Sequence, residues 1–278
     1  MLAVALGLGS SVVWGTADFF GGLFTRRLTL SGVVIGSQLA GLAALILALL
    51  ALGGDPTPHS LGLGAAAGLC GAVGIASFYA ALAAGKMSIV SPVSACGALV
   101  PMVLALASGE RPGRLALAGA AIALAGAVLA SMHEYAGEEA GSRAAVVLAA
   151  VAAFGIGGFL FLIAHAAEGG HTLPALLGAR VGSLGILVIG AVVRSQPLTV
   201  ARREFPAVAA VGLMDSTANG LFAVATQHGY LSIVSVLGSV YPIVTVILAQ
   251  ALLRERLTRI QVVGVAAAVA GVAMVSAA

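Results

Sequence analysis

The sequence predicts an all-α, polytopic membrane protein with ten transmembrane helices in two inverted five-helix repeats. Three observations carry that prediction. First, 60% of the 278 residues are of the AVILMFWYC set and only 8% are charged, and mean hydropathy is +1.13. Second, the polar residues sit mostly in short breaks between long apolar runs. Third, the two halves share an ordered series of matching residues. A water-soluble domain carries about 25% charged residues. This chain therefore cannot cover a water-facing surface, which excludes a soluble enzyme, a nucleic-acid-binding protein and a disordered chain. The isoelectric point near 9.2 reflects a net charge of only +3, so it says little about acidic partners. Cys70 and Cys96 both lie in apolar runs and form neither a disulfide framework nor a zinc-ribbon spacing.

An apolar stretch of about 20 residues crosses the hydrocarbon core as a helix. Span 1, residues 2–24, ends at Arg26-Arg27. No basic stretch precedes it, so it reads as a retained helix and not as a cleaved signal. Span 2, 30–52, stops at Gly53-Gly54-Asp55-Pro56, and span 3, 61–84, at Gly85-Lys86. Span 4, 88–107, runs up to Gly109-Glu110-Arg111-Pro112, and span 5, 115–132, up to the polar stretch 133–142. Span 6, 143–165, ends before Glu168-Gly169-Gly170-His171, and span 7, 173–193, before the stretch 194–204. Span 8, 205–228, meets His228-Gly229; span 9, 231–252, meets Arg254-Glu255-Arg256; span 10 is 259–277. A transmembrane barrel would need alternating polar and apolar residues. These runs are apolar all round, so helices are the spanning solution.

Lys and Arg in the loops set the orientation. The connections after odd-numbered spans hold ten of the thirteen: Arg26, Arg27, Lys86, Arg143, Arg194, Arg202, Arg203, Arg254, Arg256 and Arg259. The opposite side holds Arg111 and Arg114, and Arg180 lies inside a span. The bias places the odd connections in the cytoplasm and both termini outside, in the inner or plasma membrane.

The internal repeat is more specific. Ser88-Ile89-Val90-Ser91 recurs as Ser232-Ile233-Val234-Ser235, and Gly109-Glu110-Arg111 is echoed by Arg254-Glu255-Arg256. Gly119, Gly126 and Ser131 recur as Gly264, Gly271 and Ser276 at an offset of 145. Gly68 pairs with Gly212 and Phe78 with Phe222 at 144, Gly36 with Gly178 at 142, and Trp14-Gly15 with Phe154-Gly155 at 140. Residues 1–135 and 142–278 thus form two units. Five spans is an odd number, so the second unit must run the opposite way through the membrane. Inverted repeats of this kind place a transport site near the midplane, where they meet.

On these residues the chain resembles the EamA-type members of the drug/metabolite transporter superfamily. The resemblance covers the whole chain. It rests on the two five-span repeats, on Trp14-Gly15-Thr16-Ala17-Asp18-Phe19 in span 1, on the Ser-rich starts of spans 4 and 9, and on the Gly-Glu-Arg and Arg-Glu-Arg steps before spans 5 and 10. The Glu-Arg-Pro-Gly step after span 4 departs from the longer aliphatic end common in such proteins. The resemblance implies a carrier of small metabolites, an exporter or exchanger. It also implies a central cavity lined by spans 1–4 and 6–9, with spans 5 and 10 packed to one side. It names no substrate.

Ionisable groups within the bilayer tend to face a cavity or a partner. The spans hold Asp18, Arg180 and Asp215. At about 1.5 Å of rise per residue, Asp18 lies roughly 10 Å from the cytoplasmic end, Gln38 roughly 12 Å, Asp215 roughly 15 Å, and Asn219 and Arg180 roughly 21 Å. Arg180 is therefore within reach of Asp215 and Asn219 if spans 7 and 8 are neighbours, whereas Asp18 has no basic partner at its depth. Gly212, Asp215, Asn219, Phe222 and Thr226 share one face of span 8, and Ser11, Gly15, Asp18 and Gly22 one face of span 1. Trp14 stands near mid-span, away from the interfacial belt that tryptophans favour. Trp14, Gln38, Arg180 and Asn219 are the candidate substrate-lining residues, with Arg180 either holding an anionic group or pairing Asp215. Asp18 and Asp215 are the candidates for proton coupling, since a carboxylate in an apolar cavity can take up and release a proton during transport.

Each candidate has a plainer reading. Arg180 with Asp215 is equally a structural ion pair. Asp18 can snorkel toward Arg26 and Arg27, and Trp14 can simply pack. Glu110 and Glu255 read as structural carboxylates at the starts of spans 5 and 10. Pro101 and Pro242 bend their helices, as hinges or as fixed kinks. The small-residue pairs Gly32/Gly36, Gly64/Gly68 and Gly178/Gly182 allow close helix contact.

Enzyme-like signals fail. Gly62-Leu63-Gly64 with Gly68 has the wrong spacing for a dinucleotide loop. His165, Glu168 and His171 do not share a helix face and read as an outer loop, not a metal site. His133-Glu134-Tyr135 lacks the second His of a zinc protease, and there is no phosphate-binding loop. No catalytic residue, metal or cofactor is expected. The expected partners are a small-molecule substrate, the lipid bilayer, protons and a second copy of the chain in a homodimer. The leading function is secondary active transport of a small polar or amphipathic metabolite by alternating access. A flippase of a lipid-linked substrate on the same fold is the alternative, ahead of a membrane-embedded enzyme.

Overall fold

Backbone amides in lipid have no water to bond, so long apolar runs satisfy them internally as helices. The computed structural model describes residues 1–25, 27–84, 93–132, 143–193, 195, 200–254 and 257–278. Its α-helices are α1 (Leu2–Thr25), α2 (Leu30–Leu52), α3 (Pro58–Ala84), α4 (Leu99–Ala107), α5 (Arg114–Ala130), α6 (Arg143–Ala166), α7 (Thr172–Val193), α8 (Phe205–His228), α9 (Leu231–Gly238), α10 (Tyr241–Leu253) and α11 (Arg259–Ser276). Among the described residues, eight helices are long and apolar enough to cross a membrane, counting Leu231–Leu253 as one. Two shorter apolar helices, Val93–Ala107 and Arg114–Ala130, match the expected spans 4 and 5 in position. Arg26, Lys86, the tetrapeptide 88–91, His133, Glu134, Tyr135, Arg194, Glu255 and Arg256 lie outside the described residues.

Span 9 departs from the continuous helix that its hydropathy predicts. It is split into α9 and α10 at Ser239 and Val240. The cause is local: Pro242 has no amide hydrogen, and its ring crowds the carbonyl four residues earlier, Gly238. At the break Ser239 N is shared between Ser235 O and Val236 O, both at 3.1 Å, and Val240 N turns to Leu237 O, three residues back, at 3.4 Å. Pro101 stands in the same relation to Gly97, where a 3-10 turn, Cys96–Ala98, precedes α4. At the other end of the chain, Thr258 and Gln261 form a reciprocal capping box that starts α11.

The main helix pairs are α1 with α8, α3 with α6, α3 with α7, α2 with α8, and α5 with α11; α2 also meets α7, and α4 meets α9. Spans 1 to 8 are α1 to α8, span 9 is α9 with α10, and span 10 is α11. Exchanging span n with span n+5 turns each of these pairs into another of the set or into itself.

The contacts repeat in detail. α5 and α11 run antiparallel with glycines facing glycines. A methyl group on Gly119 would sit 2.7 Å from the Gly271 carbonyl oxygen, and one on Gly126 2.6 Å from that of Gly264. The reverse contacts, from Gly264 and Gly271, are 2.7 and 2.5 Å. Likewise Gly68 abuts the Ala179 carbonyl while its sequence counterpart Gly212 abuts the Ser37 carbonyl. Small residues thus let backbones touch where lipid supplies no hydrophobic drive. Larger side chains on the outer faces, such as Leu47, Leu50, Phe154 and Val193, are exposed.

Over-packing the glycine seam should be costly. We expect Gly126→Leu to destabilise the protein by about 1–3 kcal/mol. Gly185, with open space around it, should accept Ala with no loss and a gain of up to about 1 kcal/mol. Thermal unfolding in detergent checks both.

Candidate functional site

Spans that cross in alternating senses put the connections after odd-numbered spans at one end of a bundle and those after even-numbered spans at the other. Between them lies a polar cluster built on Arg180. α7, α8 and α2 bring it together, and small residues make room for it: a methyl on Gly41 would sit 2.6 Å from Ser216 Oγ and 3.3 Å from Arg180 Nε. The guanidinium is buried. Its Nη1 donates to Gln38 Oε1 at 2.6 Å, and its Nη2 donates to Ser216 Oγ at 2.9 Å and to the Asp215 carboxylate. Ser183 Oγ donates to the same Gln38 oxygen at 3.1 Å. Asn219 Nδ2 donates to the Asp215 carbonyl at 2.6 Å, while its buried Oδ1 has no partner among the described residues.

These distances show what each sequence candidate does. Arg180 is occupied by Asp215, Gln38 and Ser216, so of its two anticipated roles the pairing with Asp215 is the one present. Gln38 gives its oxygen to Arg180 and Ser183. Ser216 and Ser183 belong to the cluster although the sequence did not single them out. Ser183 stands one turn from Arg180, the one available signal; Ser216 is adjacent to Asp215 and reaches the guanidinium only because α7 and α8 are neighbours.

Asp18 stands apart from this cluster. Ser11 and Gly15, on the same face of α1, are buried, but Asp18 and Gly22 are exposed. The face is therefore closed toward mid-span and open toward the odd-connection end. Asp18 lies within electrostatic reach of Asp215, and no basic side chain pairs with it among the described residues. Toward the other end α1 packs against α8 and α9. The Trp14 ring lies 5.7 Å from that of Phe222, and Ser11 Oγ donates to the Gly238 carbonyl at 2.9 Å. Trp14 is half-buried, so it packs against Phe222 and still borders the open part of the face.

Two readings at the even-connection end are settled by geometry. Glu110 was expected to sit with the helix that follows it. Instead its carboxylate accepts from Leu231 N at 2.7 Å, Ser232 N at 3.0 Å and Ser232 Oγ at 2.5 Å, capping α9. His165 Nε2 lies 3.9 Å from Glu168 Oε1, but His171 turns away to the Asp55 carbonyl at 3.0 Å.

With this arrangement in view, the model of the EamA-like transporter family matches residues 143–277, from α6 to α11. The second half thus resembles an EamA-like transporter domain. It supplies Arg180, Ser183, Asp215, Ser216 and Asn219 to the cluster, whereas Trp14, Asp18 and Gln38 come from the half before it. Among solved structures, one described only as the crystal structure of a protein is similar over 98% of this chain and 95% of that one, at 19% identity and a TM-score of 0.78. That likeness shows a shared fold for the whole chain. No curated protein matches. The apolar helices make this a multi-pass membrane protein, and the matched family model points broadly to transport.

Removing one charge of the buried pair leaves the other unpaired. We expect Asp215→Asn to lower stability by about 3 kcal/mol or more, because a buried guanidinium loses its counter-charge. Arg180→Met combined with Asp215→Leu should recover much of that loss. Thermal unfolding of the two variants beside wild type measures the difference.

Proposed function

We propose that the protein is a secondary active transporter of a small polar or amphipathic metabolite, working by alternating access with proton coupling at Asp18. In this reading ten spans form two inverted five-helix repeats, 1–135 and 142–278. The reciprocal glycine contacts between antiparallel α5 and α11 support that relation, since each helix meets its own sequence counterpart. The positive-residue bias places the odd connections in the cytoplasm and the termini outside.

The observation that carries the proposal is Asp18: an exposed carboxylate on a helix face whose mid-span residues Ser11 and Gly15 are buried, with Arg180 already committed to Asp215. A lone charge in such a place needs neutralising before it can be sealed from water. A proton does this, and its loss on the other side of the membrane completes a coupling cycle. Asp215 is held by Arg180 and suits an anchoring role better. Trp14 and Asn219 are the groups left to meet a substrate: Trp14 offers an aromatic face and Asn219 a carbonyl oxygen with unused accepting capacity.

The test uses pyranine-loaded proteoliposomes with an imposed pH gradient and a panel of amino acids, amines and sugars. At least one compound should dissipate the gradient faster with wild type than with empty vesicles, and Asp18→Asn should abolish that flux. Equal flux from Asp18→Asn would remove Asp18 from the coupling step.

A further inference from the structure

We propose that Glu110 is a latch between the two halves that holds the even-connection end shut and must release α9 for that end to open. Glu110 belongs to the first half and α9 to the second, and their three hydrogen bonds span 121 and 122 positions of sequence. The carboxylate meets the free amides of a helix N-terminus, a charge-assisted and favourable arrangement.

The latch is held firmly on its own side. Gly109 takes a φ of +109°, which favours glycine. Glu110 N donates to Ala105 O at 3.1 Å, and Arg111 Nη1 bonds the Leu106 and Glu110 carbonyls at 3.1 and 2.9 Å. This Ser-Gly-Glu-Arg turn aims the carboxylate away from α5. On the other side, α9 is a short separate rod. All eight of its residues are buried, and a turn at Ser239 and Val240 sets it off from α10.

Two features fit a bond made to be broken. A cavity of about 150 Å³ lies beside it, lined by Ser108, Glu110, His165, Glu168, Thr226 and Gln227 among others. A carboxylate that lets go of α9 has polar surroundings to enter. At the opposite end Asp18 and Gly22 are exposed while this end is latched, the asymmetry that alternating access requires. The latch also joins two sequence echoes that transport alone left unexplained: the Gly-Glu-Arg step of one half grips the Ser-Ile-Val-Ser start of the other.

The inference rests on the alternating-access reading, but its test does not need flux, so the two fail separately. In a background with Cys70 and Cys96 replaced by Ala, a reporter Ser235→Cys sits one turn behind the latch and a second reporter, Gly22→Cys, lies at the open end. A membrane-impermeant maleimide is applied to each face of proteoliposomes of phosphatidylethanolamine and phosphatidylglycerol. Glu110→Gln should raise labelling of Ser235→Cys from the even-connection face by about tenfold, as loss of charge-assisted bonds implies, and lower labelling of Gly22→Cys. Ser232→Ala, which removes one bond of the three, should shift both in the same directions by less. Unchanged labelling at both reporters, or a rise at both, would reduce Glu110 to a structural cap and overturn the proposal.

Discussion

A charge inside a bilayer is tolerated only when something answers it, and the architecture of this molecule follows from how its three intramembrane charges are answered. Arg180 is met by Asp215, Gln38 and Ser216. Those contacts fix α2, α7 and α8 relative to one another, and among the described residues no basic group pairs with Asp18. The result is a division of labour between two carboxylates. One is tied into the scaffold, and the other is exposed on the flank of α1. In the proposed cycle that asymmetry keeps the cluster rigid and leaves Asp18 to change charge.

The second constraint is close approach of backbones. Lipid tails compete with aliphatic side chains, so association in the membrane relies on packing and on polar contacts. The glycine seam between α5 and α11 and the Gly68 and Gly212 contacts supply the packing. They are spread symmetrically over both halves. The polar contacts are not: the Arg180 cluster lies between α2, α7 and α8, and the Glu110 cap lies at one end. In the proposed rocking cycle, packing of the first kind persists in every state, whereas the cap holds in only one.

Much of this was legible in the sequence, for identifiable reasons. Helix positions followed from run length and hydropathy, because in lipid the backbone leaves few alternatives. The depth argument put Arg180 and Asp215 together because rise per residue is fixed once the ends of a span are known. Pro242 marks a bend in span 9 in the sequence, and the structure shows a split into two helices there, since a proline can bend a helix or end it. The destination of Glu110 was misread because sequence neighbours suggested a local cap, while the real partner, α9, lies more than a hundred residues away. Ser183 and Ser216 were passed over because an isolated serine in an apolar run carries no periodicity of its own. Such long-range pairings are set by which helices meet, and hydropathy is silent on that.

The most direct measurement is infrared difference spectroscopy of the reconstituted protein across a pH titration, wild type against Asp18→Asn. The account predicts a carboxyl band that titrates in wild type, vanishes in Asp18→Asn and exchanges its proton with bulk deuterated water on the side where α1 is open. A spectrum in which no band depends on Asp18 would contradict it.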